Sequence, residues 1–244
     1  MNRNSAFSYA CNACGRCCHD KVITISPYDV LRIARAMQIT TGEAIARYTI
    51  RRGSILKFID HRGCVALDGV RCGLHRGRPL ACRLYPLGIE RVGDGDDDRV
   101  ITLEPAQGSR GVYGGIGTVD DFLASQEVAP HLEANARYRE LLPKFRARIY
   151  WLTDFDRIEP REFWRVAVRE ALAESGYDPN PLIDAIFDPD SLGCARDNDA
   201  RTVAQHLTVL SKLICDEPNP AILASAAVML AISLGYSPSE VSRP

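Results

Sequence analysis

The sequence offers none of the segments that would take a chain out of the cytosol. Its start, MNRNSAFSYACNAC, has no apolar stretch of the kind a secretory leader needs. The longest apolar run, Ala221 to Leu234, is 14 residues, short of the roughly 20 that cross a bilayer. No internal repeat or low-complexity run is present. The expected location is therefore cytoplasmic, with no membrane partner. Catalytic signatures are equally scarce. No Ser-His-Asp or paired-carboxylate constellation stands out, and His61, His131 and His206 are isolated and read as structural. The glycine-rich GSRGVYGGIG lacks the G-x-G-x-x-G order, which excludes a dinucleotide fingerprint. The acidic GDGDDD resembles a calcium loop, but Arg99 stands at the glycine position and Pro105 at the bidentate Glu position.

Charge of one sign is also missing overall, since the net charge is −1. The balance is local: residues 1–91 hold 15 Lys and Arg against 6 Asp and Glu, giving +9, and residues 92–244 hold 15 against 25, giving −10. A basic half can mark a nucleic-acid surface. Here no aromatic stacking motif accompanies the arginines, and the charge is better read as compensation for metal-bound thiolates.

What the chain does have is cysteine, in one place. Of nine cysteines, seven lie in the first 82 residues: Cys11, Cys14, Cys17 and Cys18 as C-x2-C-x2-C-C, then Cys64, Cys72 and Cys82. C-x2-C lets one tight turn offer two thiolates to a metal centre, and in a reducing compartment such clustering favours metal over disulfides. Adjacent side chains are expected to diverge, so Cys17 and Cys18 read as ligands of neighbouring centres, or as one ligand and a spare thiol. His19 could follow as a ligand or lie on the surface. Cys72-Gly-Leu-His75 has ligand spacing, which makes His75 a candidate eighth ligand. Arg78 and Arg83, in RGRPLACRLYP, could balance thiolate charge and donate to sulfur, with Arg83 leaning to the shell behind Cys82. Cys194 falls in a loop. Cys215 reads as a small buried hydrophobe.

Around these residues the pattern is mainly α, with a small cysteine-rich, metal-bound region and a short β-hairpin. Ser26-Pro27 reads as a cap and first helical position, followed by a helix through Tyr28, Leu31, Ile33 and Ala34. Thr41 and Glu43–Tyr48 suggest a second helix, and residues 63–86 a metal-held loop. LGIERV and RVITLE form the hairpin. Helices are expected over 119–127, 131–150, 160–175, 199–215 and 219–234, with Phe163, Trp164, Leu172, Leu207, Leu210 and Leu213 in their core. The chain divides on this reading into a cysteine-rich domain, 1–118, and a C-terminal helical lobe, 119–244.

C-x2-C-G-x-C-C, then ITISPYDVLRIA, then C-x7-C-x2-H-x2-RPLACRLYPLG resembles the YkgJ-type cysteine-cluster family of zinc- or iron-chelating domains, over roughly residues 7–125. The resemblance implies that Cys11, Cys14, Cys17, Cys18, Cys64, Cys72 and Cys82 bind the metal, as an iron–sulfur or zinc centre, with an oxidoreductase reading often attached. Flagellin lysine N-methylase, with an iron–sulfur centre and methyl-transfer chemistry, looks like a more distant relative. One departure matters: a further cysteine found in such proteins is replaced here by the stretch Gly108-Ser109-Arg110-Gly111, so His75, Cys194 or an exogenous ligand could fill the gap.

Three functions follow as expectations. The first is an iron–sulfur protein, [4Fe–4S] by preference, serving electron transfer or a cluster-dependent oxidoreductase with a protein redox partner. The second is a zinc domain whose helical lobe binds a protein. The third is a cluster-dependent methyltransferase, although the radical-enzyme order C-x3-C-x2-C is absent. Ligand number favours iron–sulfur over zinc.

Overall fold

The computed structural model describes residues 1–59, 63–91, 98–153, 155, 159–173 and 180–241. The expected acidic hairpin tip and His61 lie outside these residues.

Eleven helices are present among the described residues: α1 (Pro27–Met37), α2 (Thr41–Tyr48), α3 (Leu80–Leu84), α4 (Val119–Ser125), α5 (Ala129–Arg139), α6 (Leu141–Leu152), α7 (Pro160–Leu172), α8 (Pro181–Phe187), α9 (Asp199–Asp216), α10 (Pro220–Ser233) and α11 (Pro238–Val241). The chain is thus mainly α, with small two-stranded ladders between the N-terminal helices.

The helix starts follow from local chemistry. Ser26 and Asp29 form a reciprocal capping box at α1, as do Thr40 and Glu43 at α2 and Thr118 and Asp121 at α4. Each box satisfies backbone N–H groups that a helix start otherwise leaves bare. The expected helix over 131–150 is two helices, α5 and α6, joined at Glu140. Pro143 is the cause: it has no N–H to offer the carbonyl four residues back, and its ring clashes there. The helix α8 was not expected. The stretch KVITI makes a single bridge, Thr24 to Ile55, rather than a strand.

The hairpin forms as expected, Leu87–Arg91 against Asp98–Thr102, antiparallel, with Ile89 opposite Val100. Tyr9–Ala10 pairs with Val112–Tyr113, and three short ladders join 49–50 to 55–56, 58–59 to 63–64 and 67–68 to 71–72.

Packing centres on α10, which is apolar on all sides and buries Leu223, Ala224, Ala226, Ala227, Val228, Met229, Leu230 and Ala231. It lies against α6, α7 and α8, so the longest apolar run of the sequence is a core helix. No helix among the described residues is long and apolar enough to cross a membrane. The main core runs from Ile25, just before α1, and Leu31 on α1 to Leu210, Leu230 and Val241, and takes in Cys64. A smaller core gathers Leu84, Leu87, Val100, Phe122 and Leu123 under the hairpin. Of the six residues expected in the helical core, Trp164 and Leu210 are buried, Phe163, Leu207 and Leu213 pack at its edge, and Leu172 stays half-exposed outside it.

Candidate metal centre

The N-terminal cysteine loop turns through two left-handed residues, Ala13 at φ +48° and Gly15. Gly15 has φ +69°, and a Cβ there would meet the Val70 backbone at 3.4 Å. The turn seats the loop on the 67–72 ladder that ends in Cys72. Behind Gly15, residues Arg16–Cys18 form one 3-10 turn. Cys18 then meets the second ladder: a Cβ on Gly63 would lie 2.5 Å from the Cys18 carbonyl oxygen and 2.7 Å from His19 Nδ1. Cys64 follows directly, opposite Phe58. On the other side, Asn12 Nδ2 donates to the Arg110 carbonyl at 2.9 Å. The 108–111 stretch therefore covers the loop.

The tight turn overturns one expectation. Cys17 Sγ and Cys18 Sγ are 3.9 Å apart rather than diverging. The 3-10 turn brings neighbouring side chains together where an extended chain would splay them. The Cys17 thiol is held down, first by its hydrogen bond with Cys18, and further by Lys21 and Arg78. Cys18, on the other side of that bond and half-buried, is pushed up.

A repeated contact runs through the set. Cys14 Sγ accepts the backbone N–H of Arg16 and, more strongly, that of Arg110, and its pKa falls. Cys64 and Cys72 accept from Ala66 and Leu74. Cys11 Sγ accepts from Ala13 N at 3.4 Å. The amide two residues downstream is within hydrogen-bond distance at Cys11, and at Cys14, Cys64 and Cys72 the corresponding amide favours the thiolate. A neutral thiol is a weak acceptor, so aligned N–H groups suit thiolate. Yet burial pushes the pKa of Cys64, Cys72 and Cys82 up, and the charges of neighbouring cysteines add to it. Cys17, Cys64, Cys72 and Cys82 therefore lie within one another's field, and Cys18 feels Cys17, Cys72 and Cys82. A bound metal ion supplies the positive charge that such a set lacks and deprotonates its thiols.

Among the described residues, no three His, Cys, Asp or Glu side chains are gathered into a ligand cage. The donors nevertheless fit a thiophilic metal: clustered sulfurs, amides aimed at them, and cations at the rim. Such sites commonly close as the ion binds.

The remaining candidates separate. Arg78 acts on Cys17 and Cys72 by its charge, hydrogen-bonds the Gln126 side chain, and keeps a buried Nε without a partner. Arg83 is buried, and its guanidinium is committed elsewhere than sulfur. It donates to the carbonyls of Arg78 (3.1 Å), Gln126 (2.8 Å) and Arg76 (2.7 Å), and to Glu127 (3.3 Å). It is a strut that fixes the 76–78 loop to α4. His75 is exposed and faces Arg78 at 3.5 Å. Cys194 is buried beside Asp190. Cys215 is exposed, which corrects its reading as a buried hydrophobe: the last turn of α9 points it outward.

Sequence reasoning missed the amide donors, Lys21 and Asp29. The amides follow from cysteine-x-N–H order and were legible in principle. Asp29 was not, because its contacts are distant in sequence. Its Oδ1 accepts from Leu80 N at 2.9 Å and pairs with His131 Nδ1 at 2.8 Å, while Oδ2 accepts from Ser26 N and Oγ. One buried carboxylate thus ties the start of α1 to the start of the helix bearing Cys82.

No curated protein and no solved structure gives a significant match to this chain. A family model does match, over residues 10–101, a narrower span than the 7–125 expected. That segment matches the model of the CxxCxxCC family, described as "Putative zinc- or iron-chelating domain", and it contains all seven clustered cysteines.

Proposed function

We propose that Cys11, Cys14, Cys17, Cys18, Cys64, Cys72 and Cys82 together hold an iron–sulfur centre, of [4Fe–4S] type, and that the protein uses it for electron transfer or in a cluster-dependent redox reaction with a protein partner. The observation that carries the reading is the convergence of the cysteines: Cys17, Cys64, Cys72 and Cys82 lie within one another's field, and the Ala13 N–H is donated to Cys11 Sγ at 3.4 Å. Hydrogen bonds to sulfur are a main lever on cluster potential.

A zinc centre is the second reading, favoured by one distance. With Zn–S bonds of about 2.3 Å, tetrahedral ligand sulfurs sit about 3.8 Å apart. Cys17 and Cys18 are 3.9 Å apart.

Metal and acid-labile sulfide analysis of protein purified without oxygen, with a visible spectrum, separates the two. Iron with matching sulfide and a dithionite-bleachable band supports the cluster. Stoichiometric zinc without sulfide supports the second reading. In either case Cys14→Ser is expected to lose most of the metal and Cys215→Ser to keep it. Equal metal content in both variants would remove the proposed ligand set.

A further inference from the structure

The glycine-rich stretch 108–117 lies beside the cysteine loop and sends apolar side chains into solvent. Val112 is exposed, Tyr113 is 43% exposed, and Ile116, set between Gly115 and Gly117, is 107% exposed. Val112 and Tyr113 pair with Ala10 and Tyr9, just ahead of Cys11. On the other flank of the loop, exposed Val70 meets Gly15. Apolar side chains gathered on one rim mark a contact surface, where scattered ones would not. Tyr113 is also held in place, with its ring centroid 5.0 Å from that of Tyr9 and 6.5 Å from that of Phe7. A ring already ordered loses little entropy when a partner covers it, as an interface anchor should.

The arginines divide by whether they have partners. Arg3, Arg32, Arg47, Arg52 and Arg83 all pair with carboxylates, four of them beyond residue 118. Arg16, Arg71, Arg76 and Arg110 are exposed and have no ion pair among the described residues. Arg16 Nε lies 3.6 Å from the Cβ position of Gly108, so Arg16 and Arg110 sit on one turn. Over residues 11–21, 67–78 and 108–117, six cations face two carboxylates, Asp20 and Asp68. Four thiolates on a doubly charged centre leave two negative charges, so the face stays positive. Aliphatic residues and a tyrosine ringed by arginines are the composition of a protein interface, whereas nucleic-acid surfaces are more polar throughout.

We propose that this face docks an acidic protein, one that presents carboxylates around an apolar patch. Val112, Tyr113 and Ile116 meet the apolar patch, and Arg16, Arg71 and Arg110 meet the carboxylates. The inference rests on the redox reading above, whose partner it describes: docking here brings the partner against the loop that bears Cys11, Cys14 and Cys17.

The test measures binding to the metal-loaded protein as purified, by calorimetry, with two probes: poly-L-glutamate, and a peptide of glutamates around a central Leu-Phe-Leu-Leu. Saturable binding of both is expected, with the mixed peptide about tenfold tighter because it also covers the anchors. Ile116→Ser, outside the cysteine loop, is expected to remove that preference. Arg16→Gln combined with Arg110→Gln weakens both probes about tenfold, and Arg165→Gln on α7 weakens neither. No saturable binding of the mixed peptide overturns the proposal. So does an equal loss in Arg165→Gln, which reports net charge alone, or tighter binding of polyuridylate, which makes the face a nucleic-acid surface. Metal and sulfide content of the same samples reads the redox function separately. Zinc without sulfide, in protein that still docks the peptide, ends the redox reading and leaves the docking face in place.

Discussion

At Gly63 the candidate centre depends on a single missing carbon. The residue has φ +83°, a conformation that costs an L side chain about 1–3 kcal/mol, and its Cβ would fall 2.5 Å from the Cys18 carbonyl. The His19 ring could swing aside, but the Cys18 carbonyl is backbone and cannot give way without moving Cys18. Gly69 makes the natural control: φ is +59°, yet nothing lies within 4 Å of its Cβ position. Gly63→Ala is expected to lose metal and melt well below Gly69→Ala, which pays only the conformational strain. Metal content and melting temperature of the two variants check this, and equal behaviour would mean that the 63–64 ladder does not seat against Cys18. None of this was legible in the sequence, where Gly63 is one glycine in a segment read as a loop. The cysteines themselves were legible because thiolate spacing is local. The partners that position them, Gly63 and Asp29, act across long sequence separations and leave no local pattern.

Among the elements, α9 is pinned by one histidine. His206 Nδ1 accepts from the Tyr138 hydroxyl on α5 at 2.7 Å, and its Nε2 donates to the Ala185 carbonyl on α8 at 2.8 Å. Both ring nitrogens are used by the neutral imidazole, and burial holds its pKa down at about 4, against the Ala185 bond and Asp188, which favour the cation. The unfolded chain protonates near pH 6.5. Between these values the unfolded state binds a proton that the folded state refuses, so stability is intact above about 6.5 and declines as pH falls toward about 4. The full loss from this group is on the order of 3 kcal/mol. Urea unfolding of the protein and of His206→Gln at pH 7.5 and 5 should show a smaller acid loss in the variant. An identical loss would place the proton elsewhere. The same helices show how far local reading goes. Capping boxes at Ser26, Thr40 and Thr118 set helix starts that sequence places correctly. The Asn180 cap and Pro181 start of α8 carry the same signals, but seven residues give too little periodicity to register. Pro143 inside an otherwise helical run was the clue to the α5–α6 break.

For the whole molecule, the question is whether the cysteine-rich part and the helices unfold together. The helical pattern that begins at residue 119 suggests a division near residue 118. The main core, however, includes Cys64, Ile25 and Leu31 together with Phe187, Leu210 and Leu230, and Cys18, Cys72 and Cys82 pack against it. A ligand that binds only the folded state stabilises every element that unfolds with its site. The two tryptophans allow the point to be measured, because both lie beyond residue 118. Trp164 is 3% exposed and reports core packing, whereas Trp151 is 74% exposed and contributes little change. If the shared core makes one cooperative unit, metal removal by chelation lowers the unfolding midpoint seen by Trp164 fluorescence as far as it lowers the far-ultraviolet dichroism midpoint. At about 2–4 °C per kcal/mol for a chain of this size, even modest metal binding gives a readable shift. A fluorescence midpoint that stays fixed while metal leaves would instead establish two independent domains. The metal would then hold together only the residues that bind it, and the helices would owe their stability to α10 alone.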